Sequence, residues 1–400
     1  MKKSNLGQFY TPENISDLIA RLTSRLAASA PNKIVDIACG NGSLLEPIQK
    51  AWPLSEVHAF DIDKENINQI KRDHPSWKSV CIDSLKHDFH KNHYDMAVGN
   101  PPYIKTIATD ELIDLIHRNY DSNPIIRGST IRAETAFVAK YLESTKNGGI
   151  ISLILPKSVI SSEKLGFMRK ALLNKMKEMS VYEISSNYFD GAEVTTYIIT
   201  GIKSDTVDKH VTIGRIGING DITDTIIMDK KECLLRMDYN YLQHIGAFKQ
   251  LQKKYLTIGE ITHTITRGIK TKLELEQEGD VYFHTSSFKE MKNEKIALNG
   301  SIQLKTKYNP VHIAQKYDIL IPRVGRKCWS QQALVKRGNA VLTDSVLRIE
   351  APGKHSKVIF ESLSSDLGML WREVHAKGSC TKLLTLNDIF RMPIIGKPRP

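Results

Sequence analysis

No apolar run in these 400 residues approaches the roughly 20 residues that a membrane-spanning helix needs. The opening Met1-Lys2-Lys3-Ser4-Asn5 lacks the apolar core of a secretory leader. Five cysteines stand far apart, at positions 39, 81, 233, 328 and 380, and no two form a CxxC pair. That argues against a disulfide framework or a zinc ribbon and points to a reducing cytosol. His87, His90 and His93 recur every third residue, but no acidic or thiol partner stands at a metal-ligand spacing, so no metal site is expected. A glycine pair at 40 and 42 lacks the third glycine of a dinucleotide fingerprint. The loop it forms need not cradle a pyrophosphate.

What the chain does have is a stiff turn at Val98-Gly99-Asn100-Pro101-Pro102-Tyr103. It follows Tyr94 to Val98, which reads as a buried strand. Two prolines fix φ twice and remove two backbone donors, and a residue before proline is pushed out of the helical region. The turn offers carbonyl oxygens, the Asn100 amide and the aromatic face of Tyr103. Such a site suits a planar NH2 group held by acceptors and covered by a ring. The amino groups of adenine, cytosine and guanine fit, and so does a glutamine amide. The bland reading is a strand-ending proline turn without chemistry.

The sequence around that turn alternates strand and helix. Ile15, Leu18, Ile19, Leu22 and Leu26 fall on one helical face. Thr11 is placed as the helix N-cap with Pro12 as its first residue, or else Tyr10 and Thr11 border a ligand pocket. Strands are expected at Lys33 to Ala38, Glu56 to Phe60, Ser79 to Ile82, Tyr94 to Val98 and Gly149 to Leu155, with a helix from Leu44 to Trp52. Strands separated by helices indicate a doubly wound, mostly parallel α/β sheet. Ligands bind such sheets at the carboxyl ends of the strands. Here the first four strands end in Asp36 and the glycine loop, in Asp61, in Asp83 and in Asn100. Core packing does not require that coincidence. Gly40 and Gly42 let a ligand approach the backbone, and Asp61 is spaced to accept from a ribose diol. S-adenosylmethionine has the ribose and the adenine but no phosphate, and fits this loop better than a nicotinamide dinucleotide. Asp83 then accepts from its adenine amino group.

Charge divides the chain. Residues 1–205 hold 25 Lys and Arg against 24 Asp and Glu, while residues 206–400 hold 31 against 20. A neutral first half beside a basic second half suggests an enzyme domain, 1–240, joined to a polyanion-binding domain, 241–400. Arg323, Arg326, Lys327, Lys336 and Arg337, with Trp329 among them, read as one dense basic cluster suited to phosphates and guanine edges. Lys270 joins the candidate DNA contacts.

The order Gln8-Phe9-Tyr10-Thr11-Pro12, Asp36-Ile37-Ala38-Cys39-Gly40-Asn41-Gly42, Phe60-Asp61-Ile62-Asp63, Ile82-Asp83 and Asn100-Pro101-Pro102-Tyr103 resembles the gamma-class adenine-N6 DNA methyltransferases of bacterial restriction–modification systems. The resemblance continues through Ala136-Phe137, Gly148-Gly149-Ile150 and Leu155-Pro156, and covers roughly residues 7–200. It implies a class I S-adenosylmethionine-dependent methyltransferase fold. The implied cofactor residues are Tyr10, Thr11, Asp36, Ala38, Gly40, Gly42, Asp61, Ile62, Asp83, Asn100 and Phe137. The implied catalytic residues are Asn100, Pro101, Pro102 and Tyr103. Some relatives carry a second stacking aromatic near the end of the strand Val194 to Gly201; Gly201 stands there in this chain, with Tyr197 and Phe189 nearby. Residues 257–396 resemble a target-recognition domain of type I specificity subunits, through Thr266-Arg267-Gly268-Ile269-Lys270, Ile321-Pro322-Arg323-Val324-Gly325 and Leu386-Asn387-Asp388-Ile389. That implies an α+β domain that approaches the major groove of double-stranded DNA. No nuclease segment is evident; the resemblance allows a separate cognate restriction endonuclease as a partner, and whether one exists is a question for the neighbouring genes. Two alternatives stay open: a methyltransferase of RNA or of a protein glutamine amide, and a non-catalytic DNA-binding protein that kept the fold.

Overall fold

The structure, a computed structural model, describes residues 11–120, 125–184, 195–288, 294–300, 307–378 and 381–399. The chain divides into two compact units, to Leu242 and from Gln243.

The first unit is built on one nine-stranded sheet. Its strands are β1 (Lys33–Asp36), β2 (Glu56–Asp61), β3 (Lys78–Cys81), β4 (Tyr94–Gly99), β5 (Thr145–Pro156), β6 (Met176–Ile184), β7 (Thr196–Lys203), β8 (His210–Ile216) and β9 (Ile222–Asp229). They lie in the order β3-β2-β1-β4-β5-β7-β6-β8-β9. β1 to β5 are mutually parallel, and β7 runs antiparallel to both β5 and β6. The order reverses at β1, between β2 and β4, which opens a crevice beyond the carboxyl ends of β1 and β4.

Helix α1 (Glu13–Leu26) buries Ile15, Leu18, Ile19 and Leu22, the face that its spacing sets out. They share a core with Ile34, Val57, Met96, Val98 and Ile150 from the sheet. Pro12, not Thr11, is the N-cap, and no side chain caps this helix. The helices α2 (Leu45–Ala51) and α3 (Lys64–Asp73) follow β1 and β2. After β4 come a short hairpin (Lys105–Ile107 with Thr130–Arg132), α4 (Asp110–Asn119) within it, and α5 (Ala133–Ser144). α5 is buried along nearly its whole length, from Ala133 to Leu142. No helix among the described residues is long and apolar enough to cross a membrane.

The second unit carries a five-stranded mixed sheet of β10 (Thr264–Arg267), β11 (Glu294–Ala297), β12 (Ile319–Pro322), β13 (Ala333–Arg337) and β14 (Val346–Glu350), in the order β10-β14-β12-β13-β11. Two helices follow, α6 (Gly353–Ser364) and α7 (Asp366–His375). Arg348 on β14 is almost wholly buried and donates through Nε to Asp318 Oδ2 at 2.6 Å, so its desolvated charge is compensated in place. Arg372 is likewise buried and held by the Gln331 and Leu363 carbonyls and by Gln332; burial pulls it down to about 9.

Candidate active site

Four strand ends meet at the crevice. β1 runs into Asp36, whose Oδ1 accepts the Ala38 N–H at 2.9 Å and the Tyr141 hydroxyl at 2.9 Å. The Ile37 N–H donates in turn to Tyr141 Oη at 3.3 Å. Burial raises the Asp36 carboxyl to about 7, against the pull of those two donors. Gly40 and Gly42 adopt φ of +54° and +85°. At Gly42 a side chain is excluded twice over, since a Cβ there meets the Trp77 ring at 3.0 Å.

Asp61 closes β2 and ties the glycine loop to it. Its Oδ2 accepts the Gly40 N–H at 2.7 Å and its Oδ1 accepts the Asp63 N–H at 2.8 Å. Burial raises this carboxyl too. A carboxylate oxygen has a second lone pair, so Asp61 keeps capacity to accept from a ligand hydroxyl. Ile62 beside it is half exposed. Asp83 lies two residues past β3; its Oδ1 accepts the Leu85 N–H at 3.1 Å and its Oδ2 lies 3.4 Å from Lys86 Nζ. Phe137 is buried in α5.

β4 stops at Gly99, and the proline turn begins there. Asn100 Nδ2 donates to the Thr11 hydroxyl at 3.3 Å. This is where Thr11 goes instead of capping α1. The Tyr103 hydroxyl donates to Asn100 Oδ1 at 3.0 Å and approaches the Ile154 carbonyl at 3.4 Å. The Ala133 N–H donates to the Ile104 carbonyl at 2.9 Å, which anchors the turn to the start of α5. Tyr10 and Phe189 lie outside the described residues.

Two residues of this site carry no motif. Tyr141 bridges the loop after β1 to β4. Its hydroxyl would stand 1.9 Å from a Cβ at residue 99, which is why the turn opens with glycine. Glu134 is fully buried at the start of α5, and neither carboxylate oxygen has a hydrogen-bond partner among the described residues. Arg132 Nη1 is 3.7 Å away. Burial raises the Glu134 carboxyl; burial, and secondly the nearby Glu134, raise the Tyr103 phenol. Both stand at helical spacing from Phe137, three before and four after, and so share its face.

Gly201 is not at this edge. It pairs with Ile151, whereas Tyr197 pairs with Leu155. Four residues along a strand put Gly201 roughly 13 Å back from the site end. It packs instead against the backbone of Lys177 and Met179. Tyr197 is buried and donates to Glu183 Oε2 at 2.9 Å.

Elsewhere, His87 stacks on Phe60 and His93 Nε2 lies 3.0 Å from Lys33 Nζ. Among the described residues no group of His, Cys, Asp and Glu is arranged to hold a metal ion. The basic residues expected as one cluster in the second unit separate. Arg323, Arg326, Lys327 and Trp329 follow the end of β12, where Arg323 donates to the Asp344 carbonyl at 3.3 Å. Lys336 and Arg337 end β13. The antiparallel register, Ile319 opposite Leu334, puts Lys336 six residues, roughly 20 Å, from Arg323 along the strands. Lys270 is paired with Glu278.

A type II methyltransferase of Bacillus subtilis, M.BsuBI, is 27% identical over 255 residues, which are 56% of this chain and 48% of that protein. M.HincII of Haemophilus influenzae is 28% identical over 214 residues, 52% of this chain and 39% of that one. The chain thus spans half or less of the length of these curated relatives. Among solved structures, the type IIG restriction endonuclease BpuSI matches 98% of this chain and 59% of its own, with a TM-score of 0.55 at 12% identity. That likeness shows a shared fold. The N-6 DNA Methylase family matches residues 1–233, more than half of the sequence, and this chain belongs to that family.

Proposed function

We propose that the protein transfers a methyl group from S-adenosylmethionine to the exocyclic amino group of an adenine flipped out of double-stranded DNA, as the modification enzyme of a cytosolic restriction–modification system. The observation that carries this reading is Asn100. Its side-chain oxygen is held at the crevice edge by a turn that has lost two backbone donors, within reach of the Tyr103 ring. The residues fit the cofactor. The glycine backbone is bare at positive φ, Asp61 keeps acceptor capacity for a ribose diol, and Asp83 stands at the next strand end. When bound, S-adenosylmethionine supplies an electrophilic methyl.

The chain's own task is to make an amino nitrogen nucleophilic. That nitrogen's lone pair is delocalised into the base. Asn100 Oδ1 and the Pro101 carbonyl accept its two N–H groups and favour a tetrahedral nitrogen. Such bonds strengthen as positive charge develops, so they lower the barrier selectively. Pro102 holds the turn rigid. Tyr103 stacks on the base and offsets part of the few kcal/mol spent on unstacking. Its hydroxyl now occupies Asn100 Oδ1, so an incoming amino group takes the oxygen's second lone pair or displaces it. Residues 243–400 serve as the DNA target-recognition domain in this reading.

The test offers methyl-labelled cofactor to DNA, RNA and protein acceptors, then digests the DNA to nucleosides. Label in N6-methyladenine is expected. Label confined to RNA or protein overturns the DNA reading. Asn100→Ala should abolish transfer with cofactor affinity retained, and Asp61→Ala should weaken cofactor affinity first.

A further inference from the structure

Residues 243–400 hold 26 Lys and Arg against 14 Asp and Glu, so they carry the entire net charge of +12. Much of that charge is spoken for. In a pocket of about 320 Å³ lined by Lys270 and Lys307, both lysines are paired with acids, Glu278 and Asp280. A second pocket of the same unit, about 360 Å³, differs. Lys295, Lys316, Lys336 and Lys357 line it together with Tyr317 and Gly353, and no carboxylate does. All four lysines are exposed. Among the described residues, Lys295, Lys316 and Lys336 have no ion-pair partner, and Lys357 has only a 3.8 Å contact with Glu361 between two exposed side chains, which is worth little.

These lysines come from four separate elements. Lys295 is on the edge strand β11, Lys336 on β13, Lys357 on α6, and Lys316 on the turn before β12. Like charges gathered from four elements repel, and packing gives no return for holding them at the surface. The turn is itself held out of its relaxed form. Tyr317 adopts φ of +77°, an outlier for a bulky residue. The buried Arg348–Asp318 pair fixes it, because Asp318 Oδ2 also accepts the Gln315 N–H at 2.7 Å. The Tyr317 N–H donates to the Val335 carbonyl at 2.8 Å. The result throws a half-exposed aromatic ring outward over Gly353, at the N-terminus of the twelve-residue α6, which no side chain caps. Lys316 lies 4.9 Å from that ring's centroid.

We propose that this lysine pocket is a phosphodiester-backbone contact site for duplex DNA, in which the four ammonium groups neutralise successive phosphates and the Tyr317 ring packs on the intervening sugar. The site deepens the reading of residues 243–400 as DNA-binding and rests on it. It gives Lys336 a different company from that of Arg323 and Arg326.

The experiment is fluorescence anisotropy of the full chain on a labelled duplex of about 30 base pairs across a salt series, since the slope of log K against log salt changes by about 0.9 for each phosphate contact. For Lys316→Gln/Lys336→Gln/Lys357→Gln the slope should become shallower by about 2 to 3, and for Lys336→Gln alone by about 1. The corresponding triple Lys→Arg variant should keep the wild-type slope. A wild-type slope in the triple Gln variant overturns the pocket and leaves the DNA reading standing. Failure of the wild-type chain to bind duplex at any salt overturns both.

Discussion

A methyl group added at residue 99 has nowhere to go, because the Tyr141 hydroxyl already stands 1.9 Å from where it would sit. Gly99→Ala is expected to destabilise the protein by about 1–3 kcal/mol, the usual cost of overpacking. Adding Tyr141→Phe should recover part of that loss, as read by urea midpoints in a double-mutant cycle. The neighbouring Asp36 makes a pH prediction. Its folded value of about 7 lies above the ordinary 3.8, so the folded state binds the extra proton. The stability this gives is full below the ordinary value and is lost as pH rises through 7. Asp36→Asn does not titrate. The melting temperature of that variant relative to wild type should therefore climb between pH 4 and 7 and then level. Tyr103 separates its ring from its hydroxyl. Tyr103→Phe should keep transfer within a few-fold, while Tyr103→Ala should lose about 1–3 kcal/mol of base stacking, seen as a higher KM for DNA.

At the scale of elements, the sequence sets out which segments become strands better than it sets out which way they run. β1 and β2 end in Asp36 and Asp61, and β3 and β4 are followed within two residues by Asp83 and Asn100; that pattern is local. Gly201 stands at the far end of β7 because that strand is antiparallel, which swaps the end that faces the site, and direction is not encoded within eight residues. The same cause split the basic cluster. Residues 323 and 336 are near in sequence, but β12 and β13 run in opposite directions and carry them to opposite ends of a sheet. Thr11 reads as an N-cap by residue type alone; a hydrogen bond from Asn100, 89 residues away, decides otherwise. In the second unit, Asp318 is the partner on which β14 depends. Asp318→Asn removes the buried counter-charge of Arg348 and leaves it only the partly exposed Glu350 at 3.1 Å, which should cost about 3 kcal/mol, measurable as a lowered denaturation midpoint. Replacing both with apolar residues should cost less.

Across the whole molecule, charge is partitioned more sharply than the halves of the sequence suggest: the first 242 residues are neutral and the rest carry +12. Cofactor and DNA binding should then respond differently to salt. Between 50 and 200 mM NaCl, affinity for non-cognate duplex should fall by roughly 10³-fold if six or more phosphates are contacted. Affinity for S-adenosylmethionine should barely move. Equal salt sensitivity of the two would count against the partition of roles.

The sequence by itself determined the parallel α/β core, the strand-end acids, the glycine loop and the Asn-Pro-Pro-Tyr turn. These follow from local rules: periodicity, proline and glycine backbone limits, and the polar residue at or just past the end of each of the first four strands. Tertiary structure alone decided what those residues touch. Tyr141 ties Asp36 to the Ile37 N–H and packs against Gly99, the buried Glu134 carboxylate has no hydrogen-bond partner among the described residues, and four lysines from distant segments share one pocket. Each of these needs elements far apart in the chain to be brought within a few ångströms, and the forces that bring them there are the burial and pairing of residues elsewhere.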